Sequence, residues 1–245
     1  MVSASRSSPH KNRILGAVPQ EDLDRFFASL QPVSLPLKHM LYRIGAPLDF
    51  VYFIEEGVAS ILTSMTDGST IEVGMVGSEG IVGVAALMGG EASAQQIVVQ
   101  VPGAALKMPA AKCKEAFDQS PAFRAAALQY VAAFIDLGAQ TAACNRLHNI
   151  EQRCARWFLM ALDRMDGDVL PMTHEFLASM LGVRRAGITE TAGELQRSGL
   201  IRNHRGEVTV VDRAGLEAAA CECYGLDHGR LMRLLETSTV PVGPG

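Results

Sequence analysis

The chain has 245 residues, enough for one or two domains with sizeable cores, with 48% hydrophobic and 20% charged residues and a formal net charge of −4. This acidic balance excludes indiscriminate coating of nucleic acid but leaves room for a local basic face, because only a docking surface has to be positive. Five scattered cysteines (Cys113, Cys144, Cys154, Cys221, Cys223), no secretory signal and no apolar run long enough to span a membrane lead to the expectation of a reduced, cytoplasmic protein.

Residues 1–12, MVSASRSSPHKN, have no apolar period and are expected to form a disordered tail. From Ile14 to about Leu30 a short helical pattern follows, with Leu23, Phe26, Phe27 and Leu30 on its apolar side. Between Val33 and Met108 the texture changes to short β-branched and aromatic runs separated by Gly, Pro and Asp, among them LYRIG, FVYFIEEG, VASILTSMTDG and TIEVGMVG. Many short strands at this spacing predict a β-barrel or jelly roll, and Asp67-Gly68 marks a hairpin within it. The glycine-bounded segment GIVGVAALMGG predicts a short buried helix wedged into the barrel.

From Pro121 the pattern is helical. Val131, Phe134, Gly138, Thr141 and Asn145 recur at spacings of three and four, an a/d-like stripe that fits either packing on the chain's own barrel or pairing with a second copy. Ile150 to Met165 continue as a helix with Trp157, Phe158 and Leu162 as core candidates, and with Arg153 and Arg156 expected in solvent. Asp166-Gly167-Asp168 breaks it.

The stretch from Thr173 to Ile201 has the layout of a helix-turn-helix. Thr173 is the expected N-cap of the first helix, Leu177, Met180 and Leu181 its inner face, and Gly182 the turn. In the second helix Ile188, Ala192 and Leu195 point inward, so Arg185, Thr189 and Glu190 project outward. A helix of this kind fits the DNA major groove, where Arg pairs with guanine and Glu accepts from the cytosine amino group. Arg184 stands at the start of the same helix, and from Thr173 to Arg205 five arginines face three glutamates. LIRNHRGEVTVVDR then predicts two short strands around Arg205-Gly206, the wing of a winged helix, whose tip residues His204 and Arg205 are candidate phosphate contacts.

Near the C-terminus Cys221, Cys223 and His228 are spaced C-x-C-x4-H. This matches no common zinc signature and lacks a fourth ligand, so no metal site is expected and two buried thiols are the simpler reading. The last residues, 237–245, lack any folding pattern. No G-x-S-x-G elbow, P-loop, H-E-x-x-H or G-x-G-x-x-G after a strand is present, and the expectation is that the protein is not an enzyme.

The run VYFIEEGVASILTSMTDGSTIEVGMVGSEGIVGVAALMGGEASAQQIVVQ, with Gly57, Gly68, Gly77 and Gly83 as turn glycines and the helix-turn-helix after it, resembles the Crp/Fnr transcription regulators. The resemblance implies an α+β chain: a jelly-roll effector domain of the cyclic-nucleotide-binding type at 13–118, a long dimerisation helix at 119–149 and a winged helix-turn-helix at 150–236. It also implies double-stranded DNA, a second copy of the chain and RNA polymerase as partners, with an inverted-repeat operator. Arg185 stands at the family's base-reading position, and Glu190 stands where many members have another arginine.

The cyclic-nucleotide machinery departs from the family pattern. Gly83 is followed by Val84 rather than Glu, the later segment reads EASAQ through Ser93 and Ala94, and no arginine occurs between Gly45 and Val101. A buried phosphate without a cationic partner costs several kcal/mol. The effector pocket near Gly83, Val84, Ser93 and Ala94 is therefore expected to bind cAMP weakly or not at all, and the effector is unknown. No cofactor is expected either: no cysteine precedes Cys113, which argues against an Fnr-like iron-sulfur cluster, and His39 is the lone histidine of the strand-rich part. A rival reading is a small-molecule or redox sensor whose C-terminal domain contacts a protein instead of DNA.

Overall fold

A computed structural model describes residues 10–237. The expected tails, residues 1–9 and 238–245, lie outside the described residues. Residues 10–12, within the stretch read as a tail, belong to the fold. Asn12 is fully buried, donates to the carbonyls of Ile54 and Gly80, and accepts from the amides of Ile14 and Leu15 as the N-cap of α1 (Arg13–Gly16). Pro19 then separates α1 from α2 (Gln20–Phe26).

The first unit is a six-stranded antiparallel sheet: β1 (Gln31–Leu35), β2 (Met40–Tyr42), β3 (Phe50–Ser64), β4 (Thr70–Val76), β5 (Ile81–Val82) and β6 (Gln96–Pro109). Its order is β1-β6-β3-β4, with β2 also on β6 and β5 on β3. The expected hairpin at Asp67-Gly68 joins β3 to β4. Gly57, expected at a turn, instead lies inside β3 with φ +88°, where a Cβ would sit 2.5 Å from the Val101 carbonyl oxygen. The β3–β6 register shifts on either side of it, so the bulge bends the long strands and closes the roll.

The segment expected as a wedged helix differs. It forms strand β5 and then a single 3-10 turn, Val84–Met88, of which only Leu87 is buried. Two glycines with positive φ, Gly83 and Gly89, bound it and leave no room for a longer helix. The core beneath is tied by aromatic rings: Phe27 meets Phe123 edge-on at 5.1 Å and Phe53 at 6.1 Å.

After α3 (Ala110–Gln119), α4 (Pro121–Leu147) runs 27 residues, with Ser120 as N-cap and Pro121 in its first turn. Its buried residues are Phe123, Ala127, Tyr130, Leu137 and Cys144. The predicted stripe is half-buried against its own protomer: Phe134 packs on Gly74 of β4, and Thr141 accepts from Arg156. The more open face carries Leu128, Ala132, Ile135 and Ala139 instead.

The second unit begins with α5 (Ile150–Leu162), opened by an Asn149–Gln152 capping box and buried at every residue from Arg153 to Leu162. Around α5 gather β7 (Val169–Pro171), α6 (His174–Leu181), α7 (Arg185–Arg197), β8 (Ile201–His204), β9 (Glu207–Val210), α8 (Arg213–Ala219) and α9 (Cys223–Thr237). Its core also takes Val58, Leu62 and Met75 from the roll, so the two units share a packed boundary.

The expectation of solvated Arg153 and Arg156 is overturned. Both are more than nine-tenths buried. Arg153 donates to the Leu181 carbonyl at the end of α6, and Arg156 donates twice to Asp227 of α9, at 2.8 and 2.6 Å, and once to Thr141 of α4 at 3.0 Å. A guanidinium can be buried here because carbonyl and carboxylate oxygens replace its water.

Candidate nucleic-acid interface

The surface bearing the exposed arginines is built by α6, α7 and the wing. Thr173 caps α6 by accepting from the Phe176 amide at 3.2 Å. Leu177, Met180 and Leu181 pack inward, and Gly182 turns the chain at φ +62°. The positive φ favours glycine, and a Cβ there would stand 2.8 Å from Ile71 Cδ1 of the β3–β4 hairpin, so that side chain would have to shift. Thr70 and Ser179 hydroxyls meet at 2.7 Å beside it. The turn is therefore held against the roll of its own protomer.

In α7 Ile188, Ala192 and Leu195 are buried as expected, while Arg184, Arg185, Thr189 and Glu190 are exposed. Arg184 is the N-cap residue and makes no side-chain cap, which leaves the first amides of α7 without a side-chain acceptor. Among the described residues no carboxylate engages Arg184 or Arg185.

His174 and Asn203, neither singled out by sequence reasoning, organise this surface. The Asn203 amide meets His174 Nε2, His174 Nδ1 lies 3.1 Å from the Thr189 hydroxyl, and that hydroxyl donates to the Arg185 carbonyl at 3.1 Å. Burial, and then the charge of Arg185, push the His174 pKa below its ordinary value. A neutral ring with its proton on Nδ1 satisfies every link of this chain. Gln196 adds a tie, its side-chain oxygen accepting from the backbone N–H of Asn203 at 2.8 Å. The helix and the wing are thus fixed to one another. Thr173, His174, Arg185 and Asn203 line one cleft with Lys38 from the roll. No local pattern reveals this set, because its members come from four separate segments.

The wing is a three-stranded sheet, β7-β9-β8, one strand more than the sequence indicates. Arg205 and Gly206 both have positive φ, 47° and 85°, as a two-residue hairpin turn demands. His204 and Arg205 are exposed at its tip.

Residues 152–219 match the family model of the Crp-like helix-turn-helix domain, and residues 32–120 match that of the cyclic nucleotide-binding domain. The chain belongs to the Crp/Fnr family of transcription regulators. Solved structures of this architecture align with it over most of its length. FixK2 from Bradyrhizobium japonicum is 13% identical with a TM-score of 0.66, covering 78% of this chain and 98% of that one. Two Crp/Fnr-family regulators from Thermus thermophilus, TTHB099 and TTHA1359, are each 22% identical. Their TM-scores are 0.65 and 0.64, and they cover 77% and 78% of this chain and 96% and 98% of their own. No curated protein matches the sequence.

In this Crp/Fnr regulator the residues expected around an effector pocket make local contacts within the cyclic nucleotide-binding domain. Gly83 bears on the Phe50 carbonyl, where a Cβ would stand 2.8 Å from the oxygen, and Val84 opens the 3-10 turn. The buried Ser93 donates its hydroxyl to the Gln95 carbonyl at 2.7 Å, its backbone closes on Gly45 and Ala46, and Ala94 faces solvent. No helix among the described residues is long and apolar enough to cross a membrane.

Cys221 and Cys223 are both buried, as expected, but their neighbours were not foreseen. His228 pairs with Asp163 at 2.9 Å and takes no part with the thiols. Cys221 and Cys223 instead meet Cys144 and His148 at the end of α4.

Proposed function

We propose that the regulator acts as a homodimer on an inverted-repeat operator, with α7 of each copy in a major groove and its effect on transcription passed to RNA polymerase. The observation that carries this reading is the pair Arg184 and Arg185, exposed and unengaged at the uncapped start of α7. Arg185 is placed to read guanine, Glu190 five residues on to accept from cytosine, and Arg184 and the free amides of the first turn of α7 to take a phosphate. Thr173, His204 and Arg205 flank them as backbone contacts, with Thr189 supporting Arg185 from within the helix. The dimer is made by α4, whose outer face presents Leu128 and Ile135 among alanines; Ile135 is 65% exposed. Two readers then stand about one DNA turn, roughly 34 Å, apart.

The signal is not cAMP. The segment from Gly45 to Val101 carries no arginine to neutralise a cyclic phosphate, and Ser93 already has a partner. Titration calorimetry should show no binding at micromolar cAMP, and micromolar affinity would overturn this part of the reading.

Selection of genomic fragments by the full chain tests the proposal as a whole. The expected product is a set of sites with two inverted half-sites in adjacent turns. Failure to enrich any sequence favours a C-terminal domain that contacts protein.

A further inference from the structure

Four side chains that sequence spacing scatters are brought together where the long helix meets the reader. Cys144 and His148 come from the last turn and C-cap of α4, Cys221 from the link between α8 and α9, and Cys223 from the first residue of α9. Their three Sγ atoms and one imidazole nitrogen all lie within 4.8 Å of one another. We propose that Cys144, His148, Cys221 and Cys223 form a tetrahedral site for one zinc-class divalent ion, stapling α9 to the end of α4.

The distances fit a single ion. Zinc takes sulfur at ~2.3 Å and nitrogen at ~2.0–2.1 Å, which gives tetrahedral edges of roughly 3.5–3.8 Å. Cys144 Sγ and Cys221 Sγ are 3.6 Å apart, and Cys223 Sγ and His148 Nδ1 are also 3.6 Å apart. The four donors crowd around one point, too close to embrace a multi-iron cluster. Four protein ligands close the shell and leave no position for a substrate, so the ion holds structure and performs no chemistry.

The surroundings are those of a ligating histidine. With Nδ1 turned to the thiols, the other ring nitrogen, Nε2, lies 3.2 Å from Glu222 Oε2. A carboxylate on the far nitrogen fixes the tautomer and raises ligand basicity. Gln140 donates to Cys223 Sγ at 3.0 Å. Three thiolates and a divalent ion leave one net negative charge, and the Arg153 and Arg156 guanidiniums act on Cys144 from nearby to offset it. Nearby, Arg156 of α5 donates to Asp227 of α9 and to Thr141 of α4, so the ion would extend an existing tie between α4, α5 and α9.

The test uses the full chain, purified without chelator and assayed for metal by mass spectrometry, then stripped and titrated with cobalt(II). The expected results are about one zinc per protomer and a cobalt spectrum with thiolate charge-transfer bands and tetrahedral ligand-field bands. Cys221→Ser and His148→Ala should weaken binding at least about tenfold, a loss of the size that even supporting groups around a metal produce. Cys113→Ser, which lies in the other core, should retain the metal. A zinc-free protein with an octahedral cobalt spectrum would overturn the proposal, as would iron-sulfur absorbance or a Cys144–Cys221 disulfide in the purified chain. Should a ligand variant fail to fold, the cobalt spectrum of the wild-type chain decides alone.

Discussion

Glu72 is a carboxylic acid whose chemistry is changed by its enclosure. It lies on β4, is more than nine-tenths buried, and accepts from the Trp157 indole of α5 at 2.9 Å, while its second oxygen has no protein partner. Burial lifts its pKa from 4.5 to about 7, against the smaller opposing pull of Ser60, Trp157, Arg156 and Arg164. Between those two values the folded chain holds a proton that the unfolded chain has released. Stability therefore falls as pH rises through this window and is level on either side, by about 3 kcal/mol for a shift of this size. Glu72→Gln keeps an oxygen for Trp157 and removes the titration. Urea midpoints of wild type and variant, measured across the window, should diverge as pH rises, with the variant the more stable at pH 8. Parallel curves would show that Glu72 is ionised in the fold. Because Glu72 joins β4 of the roll to α5, its proton also bears on the boundary between the two units.

At the scale of elements, α4 has one face on the roll and α9 and another open to solvent. A charge at the centre of the open face should break the proposed dimer. Ile135→Asp is expected to sediment as a folded monomer and to lose operator affinity, and a stable dimer would place the interface elsewhere. The choice of face was not legible in the sequence, because alanines and aliphatics surround α4 on all sides. Contacts with distant segments, such as the fit of Phe134 to Gly74 and the Arg156 bond to Thr141, show which way the helix turns. The helix-turn-helix was legible because its signals are local: 3.6-residue periodicity, a capping threonine and a glycine at the turn. The hairpin at Asp67-Gly68 and the wing at Arg205-Gly206 were legible for the same reason. The burial of Arg153 and Arg156 was not, since their acceptors, the Leu181 carbonyl and Asp227, are 28 and 71 residues away. The His174–Asn203 link and the His148–Cys223 approach escaped sequence reading for the same reason.

Across the whole molecule the two units are joined at several points rather than by a free linker. Ile71 and Thr70 bear on the Gly182 turn, Glu72 holds Trp157, and Glu79 accepts from Arg164 at 2.7 Å. Residues of β4 thus touch both α5 and the turn that precedes α7 directly. The reader is in turn positioned by α5 and α9 against α4, which would set the spacing of the two reading helices in a dimer. The wing should supply affinity without specificity: Arg205→Ala is expected to weaken binding to all sequences alike and to lower the salt slope by about 1. The central claim is that Arg185 reads bases, and fluorescence anisotropy with the selected operator and a scrambled duplex, at one fixed salt concentration, tests it most directly. Arg185→Ala should lose about 1–3 kcal/mol on the operator and little on the scrambled duplex, relaxing specificity at one base position per half-site. Equal losses on both duplexes, or none on either, would contradict the account.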